Sequence, residues 1–342
     1  MRVLFLQQRS YFDSIGVLYS QVEAEFCCTF SINIEKYLMS FDLVASCIDH
    51  DNDARYLMNL ANNLNIPTVF FMDGVYDISN SSNNPHLKNI NITLFHPFYY
   101  TNIFVVGTKF GEYLSDKHDI KYYNYLPKRA CLDIRKNVSP PKKVLITTAV
   151  TPYFSTQEKQ VLIHWFKSIV SILNGRKISY CFRIFDMDLY KCISDSKSEN
   201  LINIPLTEIV SNVSCVICTP STVIHSLTTY KINNLCINYR NESLLYDTDI
   251  VCCLYKDLSD SITQLTSSES VIEHNIPTTN IDLNSYDFTL DNISPYKGNK
   301  SFFRIYFSYT SVLRIIYNSL PISYRKNIKN FLSVTRIPFF NR

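Results

Sequence analysis

Phe41-Asp42-Leu43-Val44-Ala45-Ser46-Cys47-Ile48 and Thr68-Val69-Phe70-Phe71 are two short apolar runs, and the reading of what lies between them decides the fold. Across residues 53–64, Tyr56, Leu57, Leu60, Ala61 and Leu64 recur at helical spacing, and Asn65-Ile66-Pro67 closes the segment. Strand, helix and strand in that order make a βαβ unit, whose strands run parallel because a crossover helix joins them. Working outward, residues 3–6 and Ile103-Phe104-Val105-Val106 supply further apolar runs of strand length. The alternation predicts a parallel sheet covered by helices.

Near residue 140 the composition changes. Lys136-Asn137-Val138-Ser139-Pro140-Pro141-Lys142-Lys143 is polar and basic, and its proline pair continues neither a helix nor a central strand. The expected division is a first α/β domain over 1–138, a linker over 139–143, a second α/β domain over 144–291 and a tail over 292–342. Val144-Leu145-Ile146-Thr147-Thr148-Ala149 opens the second domain as a strand. An amphipathic helix follows, carrying Val161, Leu162, Trp165, Phe166, Ile169, Val170 and Leu173, with Gly175 expected as the glycine just past its end. Residues 178–185, 201–205, 215–218, 235–238 and 250–254 are the next expected strands. The fold class is therefore α/β, with two Rossmann-like α/β/α domains facing a cleft and a helical tail.

A chain of 342 residues exceeds one ordinary core, and 46% hydrophobic with 18% charged residues is globular composition. The net charge of +3 is concentrated near the end, where Lys and Arg crowd and no acid follows Asp291. A nucleic-acid binder would spread that charge over its main face, so nucleic acid is not an expected partner. The apolar run of residues 1–6 is short for a secretory leader, and 11 cysteines is an odd count; free thiols in a reducing cytoplasm are expected. Cys215-x-x-Cys218 lies inside an apolar strand without a second zinc-spaced pair, and no metal is assigned to it. Asp49-His50-Asp51 and Asp186-Met187-Asp188 match the Asp-x-Asp pattern of GT-A transferases, but two successive α/β blocks are not a single GT-A sheet, and no metal is expected there either.

The sharpest local signal is Cys218-Thr219-Pro220-Ser221-Thr222-Val223-Ile224-His225, a strand, a hydroxyl-bearing turn and a helix start. Free backbone N–H groups and short hydroxyls at that point suit an anion, and ligands of open α/β sheets bind at the carboxyl ends of strands. Ser221 and Thr222 are the expected phosphate ligands, with a plain helix cap as the alternative. Phe70-Phe71-Met72-Asp73-Gly74-Val75-Tyr76-Asp77 places an acid and a glycine after a strand of the first domain. Asp73 there suits a general base toward an acceptor hydroxyl, with Gly74 and Asp77 beside it; the alternative is an ordinary Asp-Gly turn. Thr148 and Tyr153 in the loop after the first strand of the second domain, Arg183 at a strand end, Glu208 before the Ser-Thr turn and Arg240 after the next strand are weaker donor-side candidates. His96, followed by Pro97, is an acceptor-side candidate, weighed with His225 against ordinary packed or solvated histidines.

These pieces resemble the GT-B glycosyltransferases of bacterial surface-polysaccharide assembly, on the strand, Thr219-Pro220-Ser221-Thr222 and helix pattern. Within that class, transferases of CMP-activated sugars carry acid-acid-Gly, His-Pro and Ser-Ser/Thr motifs; Asp73-Gly74 and Ser221-Thr222 match the first and third, Met72 replaces the first acid, and His96-Pro97 lies in the other domain. The resemblance implies Asp73 as base, Ser221 and Thr222 as phosphate ligands, a phosphate-activated sugar as co-substrate and no other cofactor. It also implies an acceptor that is a glycan or lipid-linked oligosaccharide, in the cytoplasm at the inner-membrane surface. Phe302, Phe303, Phe307, Phe331, Phe339 and Phe340, interspersed with Lys and Arg, suit such a surface, or a helix packed back across the domains. No stretch reaches the ~18 apolar residues of a membrane span. A sugar-nucleotide epimerase of similar architecture and a non-catalytic partner protein remain alternatives.

Overall fold

The computed structural model describes residues 1–27, 33–89, 92–118, 120–131, 143–150, 155–194, 199–267 and 279–288. Tyr153, the 292–342 tail and all of the expected linker except Lys143 lie outside them.

The chain opens with β1 (Arg2–Phe5), α1 (Arg9–Ile15), β2 (Val17–Leu18), β3 (Glu23–Phe26), α2 (Ile34–Leu38) and β4 (Leu43–Ser46). The first half continues through α3 (Asn52–Asn63), β5 (Thr68–Phe71), α4 (Ile78–Asn83), α5 (Pro85–Asn89), β6 (Asn102–Val105), α6 (Thr108–His118) and β7 (Lys121–Asn124). In the second half, β8 (Lys143–Thr147), α7 (Thr156–Gly175), β9 (Tyr180–Arg183), α8 (Met187–Ile193) and α9 (Leu206–Val210) come first. β10 (Val213–Cys218), α10 (Val223–Thr229), β11 (Asn233–Ile237), β12 (Ile250–Cys252) and α11 (Leu258–Ser267) follow, and β13 (Ile281–Asp282) comes last.

The first sheet has the order β3-β1-β4-β5-β6-β7 and the second β12-β11-β10-β8-β9, with parallel pairing throughout. Each is a doubly wound sheet. The order of winding reverses between β1 and β4 in one and between β8 and β10 in the other, and the crevice at the carboxyl ends beside such a reversal is where ligands of these folds bind. Sequence explains the central strands directly, since β4, β5 and β6 are buried at every position and so read as continuous apolar runs. α7 starts in a capping box, Ser155 with Glu158, and lays Leu162, Trp165, Phe166, Ile169 and Leu173 on the sheet. Burying each of those side chains is worth about 1.5–3 kcal/mol against solvent.

Three expectations are corrected. Residues 281–288 do not belong to the second half: Ile281 and Leu283 are fully buried in the first-half core, β13 pairs with β2, and Lys121 holds Asp287. The chain crosses back because two apolar residues and Phe288 complete a core that the second half does not share. Residues 201–205 form no strand. Beside β9 the side chain of Asn200 takes the place of a neighbouring backbone, accepting from Ile184 N and donating to Ile184 O, both at 2.9 Å. Gly175 is still helical, and the left-handed residue after α7 is Lys177 at φ 56°. Gly16 sits at φ 104°, where a Cβ would run into Thr279 O, and Gly107 at φ 90°, where a Cβ would run into His225, so both positions require glycine.

Candidate functional site

The carboxyl end of β5 in the first sheet and the reversal point of the second sheet border one cleft of about 810 Å³, while Cys47 and Ile48, at the reversal point of the first sheet, line a neighbouring cavity. On the second-half wall, β8 ends in Thr147 and Thr148, β9 in Arg183, and β10 in Cys218 followed by Thr219-Pro220-Ser221-Thr222. Thr148 is pinned, accepting from Phe185 N at 3.3 Å, and Thr147 Oγ1 donates to Arg183 O at 2.8 Å. Two groups are left with nothing to bind. Thr219 is 1% exposed and its Oγ1 lacks a hydrogen-bond partner among the described residues, as does the buried Nε of Arg183. The Arg183 guanidinium lies 4.7 Å from the Phe185 ring centroid, has no carboxylate partner among the described residues, and is lowered in pKa by burial. The half-buried guanidinium, with its unsatisfied Nε, and the buried orphan hydroxyl lie on the same wall of the cleft, where an anion would satisfy both. Ser221 completes the lining; its Oγ accepts from Val223 N at 3.4 Å. α10 itself is only seven residues long, so the guanidinium and hydroxyls, rather than a helix dipole, dominate here.

On the first-half wall the chain leaves β5 through Met72, Asp73, Gly74 and Val75. Three groups hold this turn. The Tyr125 hydroxyl donates to Met72 O; Arg129 donates to Asp73 O at 2.5 Å and pairs with its carboxylate at 2.9 Å; and Thr222 Oγ1 accepts from Val75 N at 3.1 Å. Gly74 is required by that last approach, because a Cβ on it would overlap Thr222 Oγ1. The Asp73 carboxylate is 70% exposed and opens on the cleft. Behind it a second cavity of about 340 Å³ reaches into the first half, walled by Tyr11, Phe70, Tyr76 and Phe95, and Asp73 and Arg129 stand at the junction of the two.

Arg240 does not serve as an expected phosphate ligand. Its Nε meets Glu158 at 2.5 Å, its Nη1 meets Asp77 at 2.6 Å, and Glu242 is 4.0 Å away. Burial opposes its charge, but Asp77 and then Glu158 more than offset this and raise its pKa above the ordinary arginine value. The same contacts correct Asp77, which caps α4 at Asn80 N and clamps the two halves rather than facing an acceptor. Glu242 extends the clamp by accepting from Ser79 N and Oγ, and Lys109 with Asp247 adds a second pair between the halves.

The structure brings Asp73, Gly74, Thr148, Arg183, Ser221 and Thr222 to one cleft. Glu208 is exposed on α9 and outside the cavity lining, which at that point consists of Pro205, Leu206 and Thr207. His96 is likewise exposed and lines neither cavity; its carbonyl accepts from Arg55. Asp49 is buried and taken up by Arg55, Tyr100 and Phe95 N, Asp51 caps α3, and Asp186 caps α8 and pairs with Lys159. Cys215 and Cys218 sit three residues apart on one strand, so they point to opposite faces and enter different cores. Arg129 and Glu158 are site or clamp residues without a role in the expectations from sequence, and Thr219, part of the Thr219-Pro220-Ser221-Thr222 pattern, had no ligand role of its own there. Ser155-x-x-Glu158 is a capping-box pattern and so a local signal for Glu158, whereas Arg129 carries none.

No family model and no curated protein matches the chain. Among solved structures it is similar to the UDP-GlcNAc 2-epimerase of Methanocaldococcus jannaschii in complex with UDP-GlcNAc and UDP, at TM-score 0.47 and 12% identity over 91% of this chain and 99% of that one. It is similar also to CalG4, the calicheamicin glycosyltransferase, at TM-score 0.44 and 11% identity over 79% and 91%. A third is MurG of Acinetobacter baumannii, at TM-score 0.42 and 10% identity over 77% and 90%. All three scores lie below 0.5, and the assignment of two Rossmann-like halves rests on the strand orders instead.

Proposed function

We propose that this protein is a glycosyltransferase that moves a sugar from a phosphate-activated donor to a hydroxyl acceptor across the cleft. The carrying observation is the juxtaposition on its opposite walls of an anion cradle with no carboxylate partner among the described residues, Arg183 with Thr219, Ser221 and Thr148, and an open carboxylate, Asp73. The donor phosphate sits on the cradle, and the acceptor enters from the 340 Å³ cavity of the first half, whose aromatic walls suit the face of a sugar ring. Asp73 accepts the proton of the attacking hydroxyl as its oxygen bonds to the anomeric carbon. The bond from that carbon to the donor phosphate breaks on the far side, and the negative charge gained by the phosphate is met by Arg183 and the hydroxyls. Displacement from one side inverts the anomeric centre. The donor is a co-substrate and the scheme uses no resident cofactor.

Epimerisation needs two acid-base groups on the sugar, whereas Asp77, the other acid of this lining, is committed to Arg240. The acceptor we assign is a growing bacterial surface glycan, carried on lipid at the cytoplasmic face of the inner membrane; the support is the motif pattern around Thr219-Pro220-Ser221-Thr222 and the basic aromatic composition of residues 292–342. Thermal stabilisation by CMP, UDP, GDP and CDP identifies the activating group, since a ligand of the folded state raises its Tm. With the donor in hand, Asp73→Asn should lower transfer about 10²–10⁴-fold while leaving donor affinity unchanged. Near-normal turnover of that variant would overturn the assignment.

A further inference from the structure

Thr222 and Ser221 are neighbours on one turn, yet their side chains do different things. Ser221 lines the anion cradle, while the Thr222 hydroxyl crosses to the first half and accepts the N–H of Val75 at 3.1 Å. Four residues further on, Ser226 is buried and donates to Ala130 O at 2.6 Å, next to Arg129. One short segment of the donor-binding half therefore touches both the turn that carries Asp73 and the segment that carries its ion-pair partner. The other two tethers of the Asp73 turn, Tyr125 and Arg129, come from the first half itself. Gly74 has no side chain at the point where Thr222 Oγ1 presses on the turn, so the Thr222 side chain can reach the Val75 N–H.

The Thr222 hydroxyl accepts from Val75 but has no acceptor for its own proton among the described residues, although the residue lines the cleft. An anion on the cradle can take that proton. Hydrogen bonds in a chain polarise one another, so a hydroxyl donating to an anion becomes a better acceptor for Val75 N–H. We propose that Thr222 is a positioning residue that couples occupancy of the anion cradle to the placement of Asp73, an inference resting on the reading of the cleft given above. A filled cradle tightens the link and fixes the turn with its carboxylate toward the reaction; an empty one leaves the turn on its two first-half tethers. Because coupling is reciprocal, whatever fixes the turn also strengthens anion binding.

Amide hydrogen exchange at Val75 tests this in the full chain, with wild type, Thr222→Val and Thr222→Ser compared without ligand and with saturating UDP or CMP, whichever binds by calorimetry. Without ligand, Thr222→Val should speed Val75 exchange about fivefold, the loss of one ordinary hydrogen bond, and Thr222→Ser should stay within about twofold of wild type. The nucleotide should slow Val75 exchange in wild type and Thr222→Ser and leave it unchanged in Thr222→Val, although that variant still binds. A purely structural threonine would give no such ligand dependence. Equal slowing in Thr222→Val and wild type, or unchanged ligand-free exchange in Thr222→Val, overturns the proposal. Failure of both nucleotides to bind wild type would instead count against the donor cradle, and the ligand-free comparison would still judge the link.

Discussion

Replacing Arg240 with alanine removes a guanidinium that is 10% exposed and holds Glu158 at 2.5 Å and Asp77 at 2.6 Å, with Glu242 at 4.0 Å. Three carboxylates, none more than 27% exposed, would then face one another without the cation between them. Breaking a largely buried pair by deleting one partner costs about 3–5 kcal/mol, because the remaining charges stay desolvated. For a chain of this size that corresponds to a fall in Tm of roughly 4–7 °C. The sign with pH follows from Glu158. Burial works against its charge, but its bonds to Ser155 N and Arg240 prevail and hold its pKa below the ordinary value. A carboxyl with a depressed folded pKa contributes stability that is present above its unfolded pKa and lost as pH falls through the folded one. The deficit of Arg240→Ala should therefore be full near neutral pH and shrink below about pH 4. Thermal unfolding followed by circular dichroism at both pH values reads it. A deficit below about 1 kcal/mol, the scale of an exposed ion pair, or one indifferent to pH, would refute the clamp.

Glu242 gives the opposite sign. Burial, joined by the charge of Asp77, raises its pKa, so ionising it costs the folded state, and Glu242→Gln should raise Tm near neutral pH with the gain vanishing below the ordinary carboxyl range; a lower Tm at neutral pH would show that its bonds to Ser79 matter more than its charge. Gly74→Ala should cost about 1–3 kcal/mol through overlap with Thr222 Oγ1, and Thr222→Ala added to it should restore part of that loss; denaturant unfolding of the single and double variants measures both, and a neutral Gly74→Ala would contradict the close approach.

The parts of this fold legible in sequence are those buried on both sides. β4, β5, β6 and β10 stand inside sheets, so their residues are apolar almost without interruption. The edge strands are different: β3 is Glu23-Ala24-Glu25-Phe26 and β7 is Lys121-Tyr122-Tyr123-Asn124, both half exposed, and neither carries the apolar run by which a strand is recognised. β13 is two residues long and is a strand only because β2 lies beside it.

The site divides in the same way. Asp73, Ser221 and Thr148 follow strand ends, and position relative to a parallel sheet is a property that sequence carries. Arg129 and Ser226 take their roles from contacts between segments that are 56 and 96 residues apart. Asp77 and Arg240, 163 residues apart, are each visible as charges, but only the packed structure shows that they neutralise each other rather than a ligand. Arg183, by contrast, keeps its charge unpaired, and that is visible only once every acid in the described structure has been placed.

Calorimetric titration of wild type and Arg183→Gln with the nucleotide that stabilises the protein most tests the central claim directly. Loss of a charge-assisted contact to phosphate is worth about 1.5–3 kcal/mol, so the variant should bind at least about tenfold more weakly while its Tm without ligand stays close to wild type. Equal affinity of the two proteins would mean that the phosphate does not rest on Arg183, and the cleft would lose the feature from which its chemistry was inferred.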